Sequence, residues 1–159
     1  MRIKIDWQQP IQLTHHKKLI FDESELLGKL ESRPGVYFFS RVYNGSVHPF
    51  YIGETKSIKG RFKSHIRSKA IAFVLQSLGD TPNEVKAGSR YFHFGYLAKN
   101  AAEPKRYLSI VQSYLIREAV AQNYVLLNKN LTKKSVHTLE FAGFSEGRAI
   151  YPKTASVEI

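Results

Sequence analysis

No cysteine occurs in the 159 residues, so disulfides and thiolate metal centres are excluded, and a reducing compartment is compatible with the chain. A long apolar run is also missing. The longest nearly apolar stretch, Ala70 to Leu78, is interrupted by Gln76 and Ser77 and is far too short to span a bilayer. The opening residues, Met1-Arg2-Ile3-Lys4-Ile5-Asp6, have no apolar core of the signal-peptide kind. These absences lead to the expectation of a soluble, cytoplasmic protein with no membrane partner. Acids are scarce as well: 13 Asp and Glu stand against 24 Lys and Arg, giving a net charge of +11 and a pI near 9.8.

A charge of that size on a small chain favours polyanions, through counterion release and electrostatic steering. Its distribution sharpens the point. From Lys56 to Lys69 there are Lys56, Lys59, Arg61, Lys63, Arg67 and Lys69, with His65 among them and no acid at all. The 43% hydrophobic and 13% aromatic content argues for a folded globule, and the length suits one domain with an adequate core.

Local signals place the elements. Arg2 to Ile5 reads as a short strand; Asp22 to Leu30 reads as a helix capped by Asp22, with Glu25 three residues on. Val36 to Val42 is rich in aromatic and β-branched residues and reads as a strand. Asn44-Gly45 is a hairpin turn signal, and Pro49 to Gly53 supplies the returning strand. Ser57 to Ser68 is an amphipathic helix carrying Ile58, Phe62 and Ile66, with Ser57 as its N-cap. Ala70 to Leu78 reads as a further helix, Ser89 to Ala98 as a third sheet strand, and Pro104 to about Gln122 as a long helix. Val136 to Phe141 reads as a late strand, before a tail from Gly143 onward expected to be partly loose.

The expected class is α+β, a small antiparallel three-stranded sheet flanked by helices. Residues 1–33 would form an N-terminal extension packed on a domain at 34–130, with 131–159 as a C-terminal extension. The paired histidines, His15-His16, point oppositely if on a strand and read as surface residues.

The chemistry concentrates in Gly35-Val36-Tyr37, in Tyr51-Ile52-Gly53, and in the helix that follows. Alternation along a hairpin lets Tyr37 and Tyr51 aim their phenols at one spot. Gly53 would let a phosphate backbone approach closely. Arg61 and His65, at i and i+4, share one helix face beside the apolar stripe. A guanidinium suits the charged oxygens of a phosphodiester. The cations Lys56, Lys59, Lys63, Arg67 and Lys69 would follow a nucleic-acid backbone.

These residues resemble the GIY-YIG nuclease superfamily, over roughly Pro34 to Asn128. Gly35-Val36-Tyr37 is similar to the first signature triplet and Tyr51-Ile52-Gly53 matches the second letter for letter. Arg61, ten residues after Tyr51, falls at the family's arginine, and His65 one turn later at its His or Tyr. Asn128, after Leu126-Leu127, resembles the family's asparagine. The resemblance implies a metal-dependent endonuclease cutting DNA, expected in duplex form, with Mg²⁺ or Mn²⁺ as cofactor. It makes Tyr37, Tyr51, Arg61, His65 and Asn128 the catalytic set, with Tyr37 favoured as base, helped by His65. A compact chain of this kind is closer to restriction or phage-type members than to repair subunits.

One position departs from the pattern. The family's metal-binding glutamate on the long helix corresponds to Gln112 in Gln112-Ser113-Tyr114-Leu115-Ile116. Leu108, Leu115, Ile116 and Ala119 surround it on one apolar face, and Glu118 is rotated about 240° away from it. Glu54 either approaches the metal or pairs with Lys56. The amide at position 112 is explained by an engineered charge deletion, by a natural variant of weak activity, or by a relative that only binds. Retention of every other signature residue leans toward the first. The competing reading is a catalytically inactive nucleic-acid-binding protein of the same fold; a basic RNA-associated structural protein is a third.

Overall fold

The central hairpin takes its register from Asn44-Gly45, whose φ angles of 50° and 75° give the left-handed pair that a tight antiparallel turn requires. It joins β5 (Gly35–Tyr43) to β6 (Ser46–Thr55). Pairing runs from Gly35↔Thr55 through Tyr37↔Gly53 to Phe39↔Tyr51, then shifts so that Ser40 meets Pro49. Phe50 is the extra residue of this bulge. Pro49 is tolerated because β6 is an edge strand and needs no outward N–H donor.

In the computed structural model the described residues are 2–68, 71, 75, 88–127, 136–140 and 154–158, the last two stretches by backbone alone. The chain divides into two units, Met1–Lys129 and Asn130–Ile159. In the first, β7 (Ser89–Leu97) pairs antiparallel with the other side of β5. β1 (Ile5–Trp7) and β2 (Ile11–Gln12) both pair with β7. The class is α+β as expected, but the sheet has five strands, in the order β1-β7-β5-β6 with β2 also on β7. The strands expected at 36–42, 49–53 and 89–98 correspond to β5, β6 and β7. Two- and three-residue strands from the N-terminal segment satisfy the outer backbone groups of β7, and strands that short leave little periodicity in the sequence. A small hairpin of β3 (Thr14–His15) and β4 (Lys18–Leu19) turns at His16, φ 52°, which leaves both histidines exposed.

Three helices follow from their caps. In α1 (Glu23–Lys29) the Asp22 carboxylate accepts the Glu25 N–H at 3.1 Å. In α2 (Ile58–Arg67) the Ser57 hydroxyl accepts the Gly60 N–H at 3.1 Å. The long helix, α3 (Pro104–Ala121), starts with proline in its first turn, where no intrahelical donor is lost. Strand alternation divides the core. One sheet face carries Tyr37, Phe39, Phe92 and Phe94, packed on Ile58 and Phe62 of α2. The other carries Val36, Ile52 and Leu97, covered by Leu108, Ile116 and Ala119 of α3. The helix expected at 70–78 lies outside the described residues, save Ile71 and Leu75, both buried in the first core.

The second unit contributes β8 (Val136–Glu140), antiparallel to β9 (Thr154–Glu158). The late strand is therefore present, and part of the tail expected to be loose is a strand; the rest of that tail lies outside the described residues. Among the described residues no helix is long and apolar enough to cross a membrane.

Candidate functional site

Because Tyr37 pairs with Gly53, its ring passes under a residue that has no side chain. A Cβ on Gly53 would collide with the Tyr37 hydroxyl and lie 2.5 Å from its Cζ. The glycine thus makes room for the phenol, where a close approach of phosphate had been expected. The hydroxyl meets Nε2 of His65 at 2.6 Å. Tyr37 is 1% exposed, and burial pushes its pKa well above the ordinary phenol value, with the neighbouring Tyr51 adding to the rise. A protonated phenol at this distance can donate to an unprotonated Nε2. His65 is held neutral: burial and the nearby Arg61 charge lower its pKa to about 4. The i, i+4 relation on α2 has delivered His65 to the tyrosines, as its spacing implied.

Tyr51 completes the aromatic group. Its ring stacks on Tyr37 with centroids 6.5 Å apart and meets His65 edge-on at 4.9 Å. It is half-buried, more open than Tyr37, and burial raises its pKa while Arg61 lowers it. The Arg61 guanidinium reaches the Tyr37 hydroxyl, and its charge acts on Tyr37, Tyr51, Glu54 and His65 alike. Four of the five residues expected to form the catalytic set thus converge. The fifth, Asn128, lies outside the described residues.

Beside this cluster, a groove of about 780 Å³ runs between α2 and α3 at the C-terminal end of β6. Its polar lining includes Glu54, Lys56, Ser57, Arg61, Ser64 and Lys105. Glu54 stands on the α3 side of β6, in register with Val36. Its carboxyl pKa is raised by burial and drawn back by Arg61 and Lys105. No ion pair forms at Glu54, Arg61, Lys56 or Lys105 among the described residues, so the lining is left with three cations and one acid.

Gln112 does sit on the apolar side of α3, half-buried between Leu108 and Ile116, while Glu118 is exposed. Its amide nitrogen donates to the Ile52 carbonyl at 3.5 Å, a long bond to the edge of β6. Beyond it, the Leu127 N–H takes the Phe50 carbonyl at 2.7 Å. This arrangement does not fit a divalent cation at position 112. The amide carries no charge and turns a donor, not an acceptor, to the strand. The groove carboxylate, Glu54, is already flanked by Arg61 and Lys105. Hard divalent cations are held by anionic oxygens, and among the described residues no three His, Asp or Glu side chains converge to supply them.

The expected nucleic-acid contacts separate. Lys56 lines the groove; Lys59 is half-buried and Lys63 exposed on α2. Arg67 is committed to Glu23, at 3.0 and 3.2 Å to one carboxylate oxygen, and Lys69 lies outside the described residues. Lys105 was not singled out in the sequence. A signal existed: it precedes Gln112 by seven residues, two helical turns, and so shares its side of α3.

Comparison with known proteins found no match to any family model, curated protein or solved structure.

Proposed function

We propose that the chain is an endonuclease-type domain of the GIY-YIG kind, which takes a DNA phosphodiester in the groove between α2 and α3. The observation that carries this reading is the bond from Tyr37 to His65 at 2.6 Å with Arg61 beside it. Burying a tyrosine and an imidazole beside a guanidinium costs desolvation, and titratable groups perturbed in this way at a groove are where binding and chemistry concentrate. The resemblance of the two triplets, Arg61 and His65 to the GIY-YIG nucleases supports the same conclusion.

In this reading Arg61 clamps the non-bridging phosphate oxygens. Tyr51, the more open phenol, donates a hydrogen bond to the phosphate. Tyr37 accepts a proton from the attacking water while passing its own to Nε2 of His65, so no free phenolate need form in the buried site. The depressed basicity of His65 makes that transfer costly in the resting chain. The metal-dependent form of the reaction requires a carboxylate where Gln112 stands.

Plasmid incubated with Mg²⁺ tests this. Gln112→Glu should nick or linearise supercoiled DNA at a rate about 10²–10³ above the unsubstituted chain, the scale of one charged transition-state contact. A second reading, a protein that binds nucleic acid without cutting it, is favoured by the Gln112 bond to Ile52, which an ionised glutamate would not make. Inactivity of both proteins with binding retained selects that reading. Failure of both to bind any nucleic acid rejects the pair.

A further inference from the structure

We propose that Lys105, with Arg61, binds the phosphodiester directly, so that nucleic acid is held in this groove without a divalent cation. This deepens the function proposed above and rests on it. The two cations stand on different helices, Arg61 on α2 and Lys105 on α3, and both line the one groove. Both charges also act on the same carboxyl, that of Glu54, which lines the same groove. Neither is paired with an acid among the described residues. A phosphodiester carries one negative charge spread over two non-bridging oxygens. A guanidinium fork from one wall and an ammonium from the other neutralise it with the geometry each cation favours.

The charge that a divalent ion would bring at position 112 is thus supplied two helical turns earlier, by a side chain on the same side of α3. Position 112 is then free to be an amide bonded to the strand edge. Glu54 becomes the tuning group. Ionised, it competes with phosphate for Arg61 and Lys105; protonated, it leaves both to the ligand. The described groups facing it are Arg61, Lys105 and Lys56, with the Tyr37 phenol under its influence. Its carboxyl pKa is raised by burial, so affinity should grow as pH falls and the carboxyl takes up its proton.

The experiment is fluorescence anisotropy of a labelled 20-base-pair DNA duplex with the full chain, in EDTA and in Mg²⁺, at several salt concentrations. The comparison set is Lys105→Ala, Glu54→Gln and, as a control for simple loss of charge, Lys63→Ala; circular dichroism confirms that each variant is folded. The unsubstituted chain should bind equally well in EDTA and Mg²⁺. Lys105→Ala should weaken binding roughly fivefold to tenfold and reduce the salt slope by about one phosphate contact, while Lys63→Ala changes affinity by less than about twofold. Glu54→Gln should tighten binding several-fold at pH 7 and remove its pH dependence. Binding that needs Mg²⁺, or a Lys105→Ala effect no larger than that of Lys63→Ala, overturns the inference while leaving a nucleic-acid groove intact. Absence of binding in every buffer overturns the groove itself.

Discussion

Replacing Gly53 with alanine puts one methyl group where the structure has a phenol. The added Cβ collides with the Tyr37 hydroxyl and sits 2.5 Å from Cζ and 2.9 Å from Cε1. The tyrosine has no easy retreat. It is 1% exposed and its ring is bounded by Phe39, Tyr51, His65 and Phe92, with centroids between 5.3 and 6.5 Å away. Relief requires the ring to shift, and any such shift lengthens the 2.6 Å bond to His65. Over-packing of this kind costs about 1–3 kcal/mol. Loss of a buried hydrogen bond, leaving the imidazole nitrogen unpaired, adds about 1–2 kcal/mol. Gly53→Ala should therefore destabilise by roughly 2–5 kcal/mol, lowering Tm by about 10 °C for a chain of this size. Urea unfolding measures the first quantity and a thermal scan the second. In a Tyr37→Phe background the hydroxyl collision and the hydrogen bond are both gone, so the added cost of Gly53→Ala should fall by about half. A Gly53→Ala protein within about 0.5 kcal/mol of the original would show that Tyr37 does not lie under Gly53, and the arrangement of the tyrosine cluster would be wrong.

Acid should loosen the first unit through buried His65 and half-buried His93. His65 and His93 are both lowered from the usual 6.5 to about 4, chiefly by burial, so the unfolded chain binds protons that the fold refuses. Their contribution is present above pH 6.5 and is lost as pH falls toward 4, by about 1–3 kcal/mol for each. Urea midpoints at pH 7.5, 5.5 and 4.5 should decline, and His93→Gln should decline less steeply; a flat or rising series contradicts the burial. In a chain carrying Gln112→Glu, adding Arg61→Ala should abolish plasmid cleavage with the circular dichroism spectrum unchanged, and undiminished cutting would remove Arg61 from the site.

Much of the core fold was legible because its signals are local. Asn44-Gly45, the Asp22 and Ser57 caps and the Pro104 start each fix a boundary by their own stereochemistry, and the elements they bound are those observed. The sheet size was not, since Ile5–Trp7 and Ile11–Gln12 are strands only because β7 offers them an open edge. The cluster of Tyr37, Tyr51, Arg61 and His65 could be read from spacing, through strand alternation and the i, i+4 rule. The reason for Gly53 could not, because it depends on a cross-strand neighbour rather than on the chain around it. Lys105 escaped for a related cause: cationic side chains are common on helix surfaces, and only the groove between two distant helices distinguishes this one. Arg67, in contrast, looked like part of a basic contact face until Glu23, 44 residues earlier, was seen to hold it.

The central claim is that a phosphodiester enters between Arg61 and the tyrosine pair, at the edge of β6. Side-chain and amide NMR shifts on adding a short DNA duplex test it most directly. The largest changes should fall at Arg61 Nε, Gly53, Glu54 and Lys105, with movement of the His65 imidazole signals. Shifts confined to Trp7, Tyr91 and the exposed side of the sheet around them, with Arg61 and His65 unmoved, would contradict it.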